Sequence, residues 1–191
     1  MISSLDGKIS SGDTEKVDVD QDWKRIKGLK EGLHQYYDLE KQTDFTSFIT
    51  GKVLAKIGVN KRTGTPTQIP VRFVVVDNKP HLNKKGVEYF SKLGKHLFIV
   101  TTNAKHPAFA LAKKLDTITV IHHKKSIDFK KLFVTLKTIH KVNRLTIQSG
   151  GTLNAVLLRA GLIDRVSLVI APVLVGGSTT PTLIDGEAIH S

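Results

Sequence analysis

Two runs in this sequence are apolar at nearly every position. They are Val71-Arg72-Phe73-Val74-Val75-Val76 and His96 to Thr102, HLFIVTT. A strand with one wet face alternates apolar and polar residues. A near-continuous run needs cover on both faces, which helices on either side of a parallel sheet supply. Helical periodicity follows each run. Lys84 to Leu93 predicts one helix, and Pro107 to Leu115 a shorter one with Pro in its first turn. Thr117 to Ile121 then reads as a strand, and Asp128 to His140 as an amphipathic helix on Phe129, Leu132, Phe133, Leu136 and Ile139. Strands alternating with helices predict an α/β fold with a mainly parallel central sheet flanked by helices and right-handed crossovers.

The outer segments read less regularly. Met1 to Ser10 is half apolar around an Asp6-Gly7 turn, and Ser11 to Asp18 is a polar loop. Asp20 or Asp22 caps a predicted helix to about Tyr37, with Trp23, Ile26, Leu29, Leu33 and Tyr36 or Tyr37 as its apolar face. Thr46 to Val53 is strand-like but broken by Gly51. A Gly- and Lys-rich loop follows through Gly58, Asn60, Lys61 and Gly64 to Pro66, and Asp77 to Pro80 is a turn. Val166 to Val175 is a long strand interrupted by Pro172, which marks an edge or a bulge. Gly176-Gly177 ends it, and Ser178 to Ser191 is loop-like.

Arg144 to Gly161 holds the most pointed pattern. Leu145-Thr146-Ile147 is a short β-former run, Ser149-Gly150-Gly151 a turn, and Leu153, Val156, Leu157 and Ala160 recur at helical steps. Gly161 sits where a helix C′ glycine belongs. Strand, Gly-Gly turn and helix together let a ligand approach the backbone and present unpaired N–H groups to a phosphate. The same pattern also serves plain chain reversal, and the sequence leaves that alternative open.

Composition bounds the function. A chain of 191 residues is most simply one domain with a real core. Its formal charge of +12 attracts anions such as phosphorylated metabolites or nucleotides. The lysines are scattered rather than gathered in an arm, and no zinc-finger or RNP-type motif is present, so nucleic acid is not the expected partner. With no cysteines, disulfides and thiolate metal sites are excluded. The eight histidines show no HxxxH or HExxH spacing, and no metal is expected. No apolar run approaches the ~20 residues of a membrane span. The first residues have no signal-peptide pattern, so a cytoplasmic protein is expected.

Six segments carry a further signal: SSLDGKI at Ser3–Ile9, TGKV at Thr50–Val53, VVVDNKP at Val74–Pro80, QSGGTLN at Gln148–Asn154, GLIDRVSL at Gly161–Leu168 and APVLVGG at Ala171–Gly177. In this order they resemble the pyrimidine reductase of riboflavin biosynthesis, a RibD C-terminal-domain-like family with a dihydrofolate-reductase-like fold. The resemblance implies NADPH as cofactor and a ribosylaminopyrimidine 5′-phosphate as substrate, whose opened ribose is reduced to a ribitylamino product. It also implies a homodimer.

The resemblance assigns roles by position. Gly150, Gly151, Thr152 and Leu153 would meet the pyrophosphate, and Gly51, Lys52 and Val53 form the second cofactor loop. Asp77, Asn78 and Lys79 follow the strand whose end faces the adenosine 2′-phosphate, a charge that suits Lys79. Ser4, Asp6 and Lys8 fall beside the nicotinamide. Asp6 would hold substrate, and Lys8 would polarise the sugar oxygen or assist proton delivery, so both are the catalytic candidates. Ser4 and Asn154 complete the substrate set. Where relatives carry Glu before the glycine loop, this chain has Gln148, which cannot act as acid or base.

Relatives of this kind have a full strand ahead of SLDGK and continue beyond the LIDGE segment. By that measure residues 1–191 form a single reductase domain clipped at both ends. Two other readings stand beside it: a related NADPH reductase for a pterin-like substrate, and a catalytically inactive nucleotide-binding remnant. On the main reading, valine at Gly150 or Gly151 abolishes cofactor binding without unfolding the chain.

Overall fold

A computed structural model describes residues 1–13, 19–43 and 45–186. Most of the expected polar loop before residue 19, and the end of the tail including Glu187, lie outside the described residues. The elements run β1 (Ile2–Ser4), α1 (Val19–Asp22), α2 (His34–Thr43), β2 (Thr46–Thr50), α3 (Gly51–Lys56), β3 (Arg72–Val76) and α4 (Lys84–Leu93). They continue with β4 (His96–Thr101), α5 (Ala108–Ala112), β5 (Ile118–His122), α6 (Phe129–Thr138), β6 (Thr146–Ile147), α7 (Gly151–Arg159) and β7 (Val169–Ala171). The chain divides into two compact units: residues 44–148, and residues 1–43 together with 149–191.

The 44–148 unit is a five-stranded, wholly parallel sheet in the order β5-β4-β3-β2-β6. Phe73, Val74 and Val75 lie opposite Leu97, Phe98 and Ile99. Neighbouring residues on one strand point to opposite faces, yet Val74, Val75, Leu97 and Ile99 are all fully buried. Both faces are therefore covered, as the continuous apolar runs require. Val75, Leu97 and Ile99 pack with Leu54, Val59, Leu82, Val87, Phe90 and Leu111. Phe48 meets Phe133 edge-on, with ring centres 5.7 Å apart. Burying each such side chain contributes about 1.5–3 kcal/mol. Helices α4 and α6 start at side-chain caps: Asn83 accepts from the amide of Gly86, and Asp128 from that of Lys131.

The second unit is built on a two-stranded parallel sheet, with Ile2 opposite Val169 and Ser4 opposite Ala171. Trp23, Leu29 and Leu33 are buried against Ile2 and Ala171. The single helix expected up to Tyr37 is not formed. A 3₁₀ turn follows α1 at Trp23–Arg25, and irregular turns lead to α2. Gly28, at φ 89°, takes a left-handed conformation that cannot belong to an α-helix. The expected long strand after Val166 is only three residues, ending before Pro172, which has no N–H to donate. Gly161, at φ 66°, closes α7 as expected: its amide bonds to Leu158 and that of Leu162 to Leu157.

Candidate active site

In the unit that contains both termini, Ser4–Ile9 is stitched to residues 173–183. Backbone bonds run from Leu5 to Val173, from Ile9 to Pro181 and from Leu183 to Gly7. Asp6 anchors the first part: its carboxylate accepts from the amides of Val175 (3.1 Å) and Gly176 (2.7 Å) and from the hydroxyl of Ser4. The Ser4 hydroxyl, first among these, and the two amides lower the Asp6 pKa from 3.8 to about 2. Ser4 is buried, and its hydroxyl also accepts from the Lys8 amide at 2.8 Å. The Lys8 ammonium donates to the carbonyls of Gly177 (2.8 Å) and Thr180 (3.2 Å). An ammonium has three donors, so one remains for a ligand oxygen.

The same unit carries the start of α7. Gly150 is its N-cap and supplies no side-chain oxygen to the first-turn amides. A Cβ built on Gly150 meets nothing within 4 Å, so the backbone there is open to close approach. Gly151 differs. A Cβ there would overlap the carbonyl oxygen of Thr182 and come within 2.6 Å of the Asp185 carboxyl carbon. The turn at 182–185 fills that space, held by bonds from Thr182 N to Asp185 Oδ1 (3.0 Å) and from Asp185 N to Gly151 O (3.2 Å). The motif reading uses Leu183–Asp185 only as part of the LIDGE segment and gives it no place beside Gly151. The expectation that valine at Gly151 spares the fold is corrected for that reason. Thr152 is exposed and Leu153 half-buried.

Asn154, expected beside the substrate, is turned into the fold. It is 2% exposed, accepts from the Ser149 hydroxyl at 2.7 Å and donates to the Leu183 carbonyl at 2.9 Å. Its Nδ2 also lies 3.5 Å from the Met1 sulfur.

In the 44–148 unit, the loops at the carboxyl ends of β2, β3 and β4 come together. Thr50 caps α3, its hydroxyl accepting from the Val53 amide at 3.4 Å, and Lys52 is exposed. The space beside Gly51 is filled by the Asp77 carboxylate, which a Cβ at 51 would overlap. Asp77 is 1% exposed, so its carboxylate is turned into the fold. It accepts from His81 N (3.1 Å), His81 Nδ1 (3.0 Å), Leu82 N (3.0 Å) and His106 Nε2 (3.1 Å). Burial pushes its pKa up, but His106 and the other donors outweigh that and hold it below the usual carboxylate range. Asn78 accepts from the Thr102 amide at 2.9 Å. Lys79 is exposed and makes no hydrogen bond or ion pair among the described residues. Gln148 accepts from the Ser47 hydroxyl at 3.0 Å, bracing β2 against the segment that follows β6. His106 carries no sequence motif beyond its position before Pro107.

A parallel sheet buried on both faces, with loops gathered at the carboxyl ends of its strands, defines an α/β protein. A sequence profile described as the RibD C-terminal domain matches residues 1–191, and the chain belongs to that family. It is 29% identical to the 2,5-diamino-6-ribosylamino-4(3H)-pyrimidinone 5′-phosphate reductase of Methanothermobacter thermautotrophicus, across 97% of this chain and 82% of the relative. The enzyme of the same name from Aquifex aeolicus is 30% identical over 47% of this chain and 40% of its own length. Among solved structures, Acinetobacter baumannii RibD superposes with a TM-score of 0.68 at 18% identity. That match covers all of this chain and 49% of the RibD chain. The riboflavin biosynthesis reductase Rib7 of Saccharomyces cerevisiae gives 0.60 at 18% identity, over 99% of this chain and 78% of its own. The resemblance to the riboflavin-pathway reductases therefore holds, and with it the oxidoreductase class and the dihydrofolate-reductase-like fold.

Proposed function

We propose that this chain uses NADPH to reduce the ribosyl group of a ribosylaminopyrimidine 5′-phosphate to the ribitylamino compound in riboflavin biosynthesis. The observation that carries the reading is the start of α7, where a glycine cap leaves the first amides without a side-chain acceptor and the space at Gly150 open. That arrangement suits a pyrophosphate, whose charge the positive helix end favours. At the start of α7 the candidates are Gly150 and Thr152, and in the 44–148 unit the exposed cations Lys52 and Lys79 suit phosphate charge. The amides of Leu153 and Val53 already donate to the Gly150 carbonyl and the Thr50 hydroxyl. Gly151, Gly51, Asp77 and Asn78 serve by shaping those loops.

When bound, NADPH supplies the hydride. The chain's own residues bind, orient and manage charge. Lys8, fixed by two carbonyls, holds one remaining N–H toward an oxygen of the substrate sugar. Asp6 stays ionised and fixes the segment that carries those carbonyls. Neither Gln148 nor Asn154 moves a proton.

Among the described residues no helix is long and apolar enough to cross a membrane, in keeping with a cytoplasmic enzyme. A homodimer is supported by the exposed apolar side chains of Val166, Leu168, Ile170 and Leu174 in and beside β7. The test is an NADPH titration of the full chain, followed by NADPH oxidation with the diamino and the deaminated pyrimidine phosphates in turn. Saturable binding and oxidation with one of them are expected. A folded chain that binds no NADPH refutes the reading. Binding without oxidation moves the weight to a nucleotide-binding remnant.

A further inference from the structure

In dinucleotide-binding sheets an acidic side chain near a strand end accepts from the ribose 2′-hydroxyl and so favours the cofactor without a 2′-phosphate. Asp77 follows β3 in this chain and has the chemistry to do the same. It is withdrawn instead. Its two oxygens are occupied by four donors, and it rests against Gly51. Three of those donors come from the following residues, His81 and Leu82. The fourth, His106, comes from the loop after β4 and is itself fully buried.

His106 is set for this task by its other nitrogen. The Ala108 amide donates to Nδ1 at 3.1 Å, so Nδ1 carries no proton. The proton of the neutral ring therefore sits on Nε2, directed at Asp77. The two loops are further joined where Thr101 Oγ1 donates to the Asp77 carbonyl at 2.8 Å. What the loop after β3 offers outward is Lys79.

We propose that His106 is a positioning residue for dinucleotide selectivity: by holding the Asp77 carboxylate inside, it keeps a negative charge off the loop after β3 and leaves Lys79 to meet an adenosine 2′-phosphate. The proposal rests on the reductase reading above and deepens it. His106 touches no ligand in this scheme and acts only through Asp77.

Calorimetric titration of the full chain with 2′,5′-ADP and with 5′-ADP tests this, because the two probes isolate the 2′-phosphate. The wild-type chain should prefer 2′,5′-ADP. His106→Gln keeps a donor at the Nε2 position and should keep the preference. His106→Asn keeps an acceptor for the Ala108 amide but loses the donor to Asp77, and the preference should fall about tenfold or more as like charges meet. Asp77→Asn added to His106→Asn removes the freed charge and should restore the preference, which repair of a merely structural defect would not do. Lys79→Gln, at an exposed position, should weaken 2′,5′-ADP and leave 5′-ADP unchanged. Wild-type preference in His106→Asn, no restoration by Asp77→Asn, or an unchanged preference in Lys79→Gln overturns the proposal. A wild-type chain that binds neither NADPH nor 2′,5′-ADP refutes the reductase reading instead, so the two failures are distinct.

Discussion

The two glycines that open α7 should respond in opposite ways to the same small change. Gly150 has φ −76° and ψ 165°, a conformation open to any residue, and a methyl there meets nothing within 4 Å. Gly150→Ala should leave stability within about 0.5 kcal/mol of the parent, the range of substitutions that disturb no packing. Gly151→Ala drives its methyl into the Thr182 carbonyl and the Asp185 carboxylate. The obstacle includes backbone, so the whole 182–185 turn must move. Overpacking of this kind costs about 1–3 kcal/mol. Moving the turn also strains the bonds from Asp185 N to Gly151 O and from Asn154 Nδ2 to Leu183 O, each worth about 1 kcal/mol. The sum is about 3–5 kcal/mol, and at about 2–4 °C per kcal/mol for a chain this long the midpoint should fall by roughly 10 °C. Differential scanning calorimetry reads the stability, and NADPH titration at a temperature where both variants are folded reads the binding. Gly150→Ala should weaken NADPH at full stability, since its methyl enters the space left for the ligand. Equal midpoints for the two variants, or unaltered NADPH affinity in Gly150→Ala, would refute the assignment of one glycine to the ligand and the other to the chain.

Three further outcomes follow from the same geometry. Lys8→Met should reduce turnover well beyond its effect on NADPH affinity, measured by steady-state rates beside a binding titration; equal losses in both would make Lys8 a clamp only. His96 and His140 have pKa values lowered from 6.5, first by burial, then for His96 by His140 and Arg72 and for His140 by Arg72. The folded state thus disfavours their protonation, so stability is full above pH 6.5 and falls as pH drops below that value toward the lowered pKa. Urea unfolding between pH 8 and pH 5 should show this fall, and His96→Gln should flatten it. The Asp6 carboxyl should titrate near pH 2 by NMR, and the anchoring it gives should disappear between pH 3.8 and about 2. A midpoint at the ordinary value would mean that its bonds to Val175 and Gly176 are not kept in solution.

The 44–148 unit was the most legible part of the chain, and the reason is local. Helix α4 runs from Lys84 to Leu93 as its periodicity predicts, because Asn83 caps its start and Gly94 ends it. Strands β3 and β4 are buried on both faces, and a continuous apolar run has few other uses. The region around Trp23 misled because its apolar spacing fits a helix, while Gly28 takes a left-handed turn that spacing does not reveal. Helix α3 was hidden inside a strand-like run, its start fixed by the Thr50 hydroxyl. Within the candidate site, motif position names loops but not the direction of their side chains. Asp77 and Asn154 point inward because each has a partner far along the chain, His106 for Asp77 and Leu183 for Asn154. Those partners are tertiary, and no spacing in the sequence announces them.

The packing of Asp77 on Gly51 also limits how this protein can change. A side chain at 51 and a carboxylate at 77 compete for one volume, so neither position can vary alone. Alanine at 51 becomes tolerable only with a shorter residue at 77, and that residue strips His81 and His106 of a shared acceptor. A step at one site thus draws in three others across the loops after β2, β3 and β4. Substitutions here are expected to arrive in sets, and a library that randomises one of these positions at a time will find almost nothing to keep.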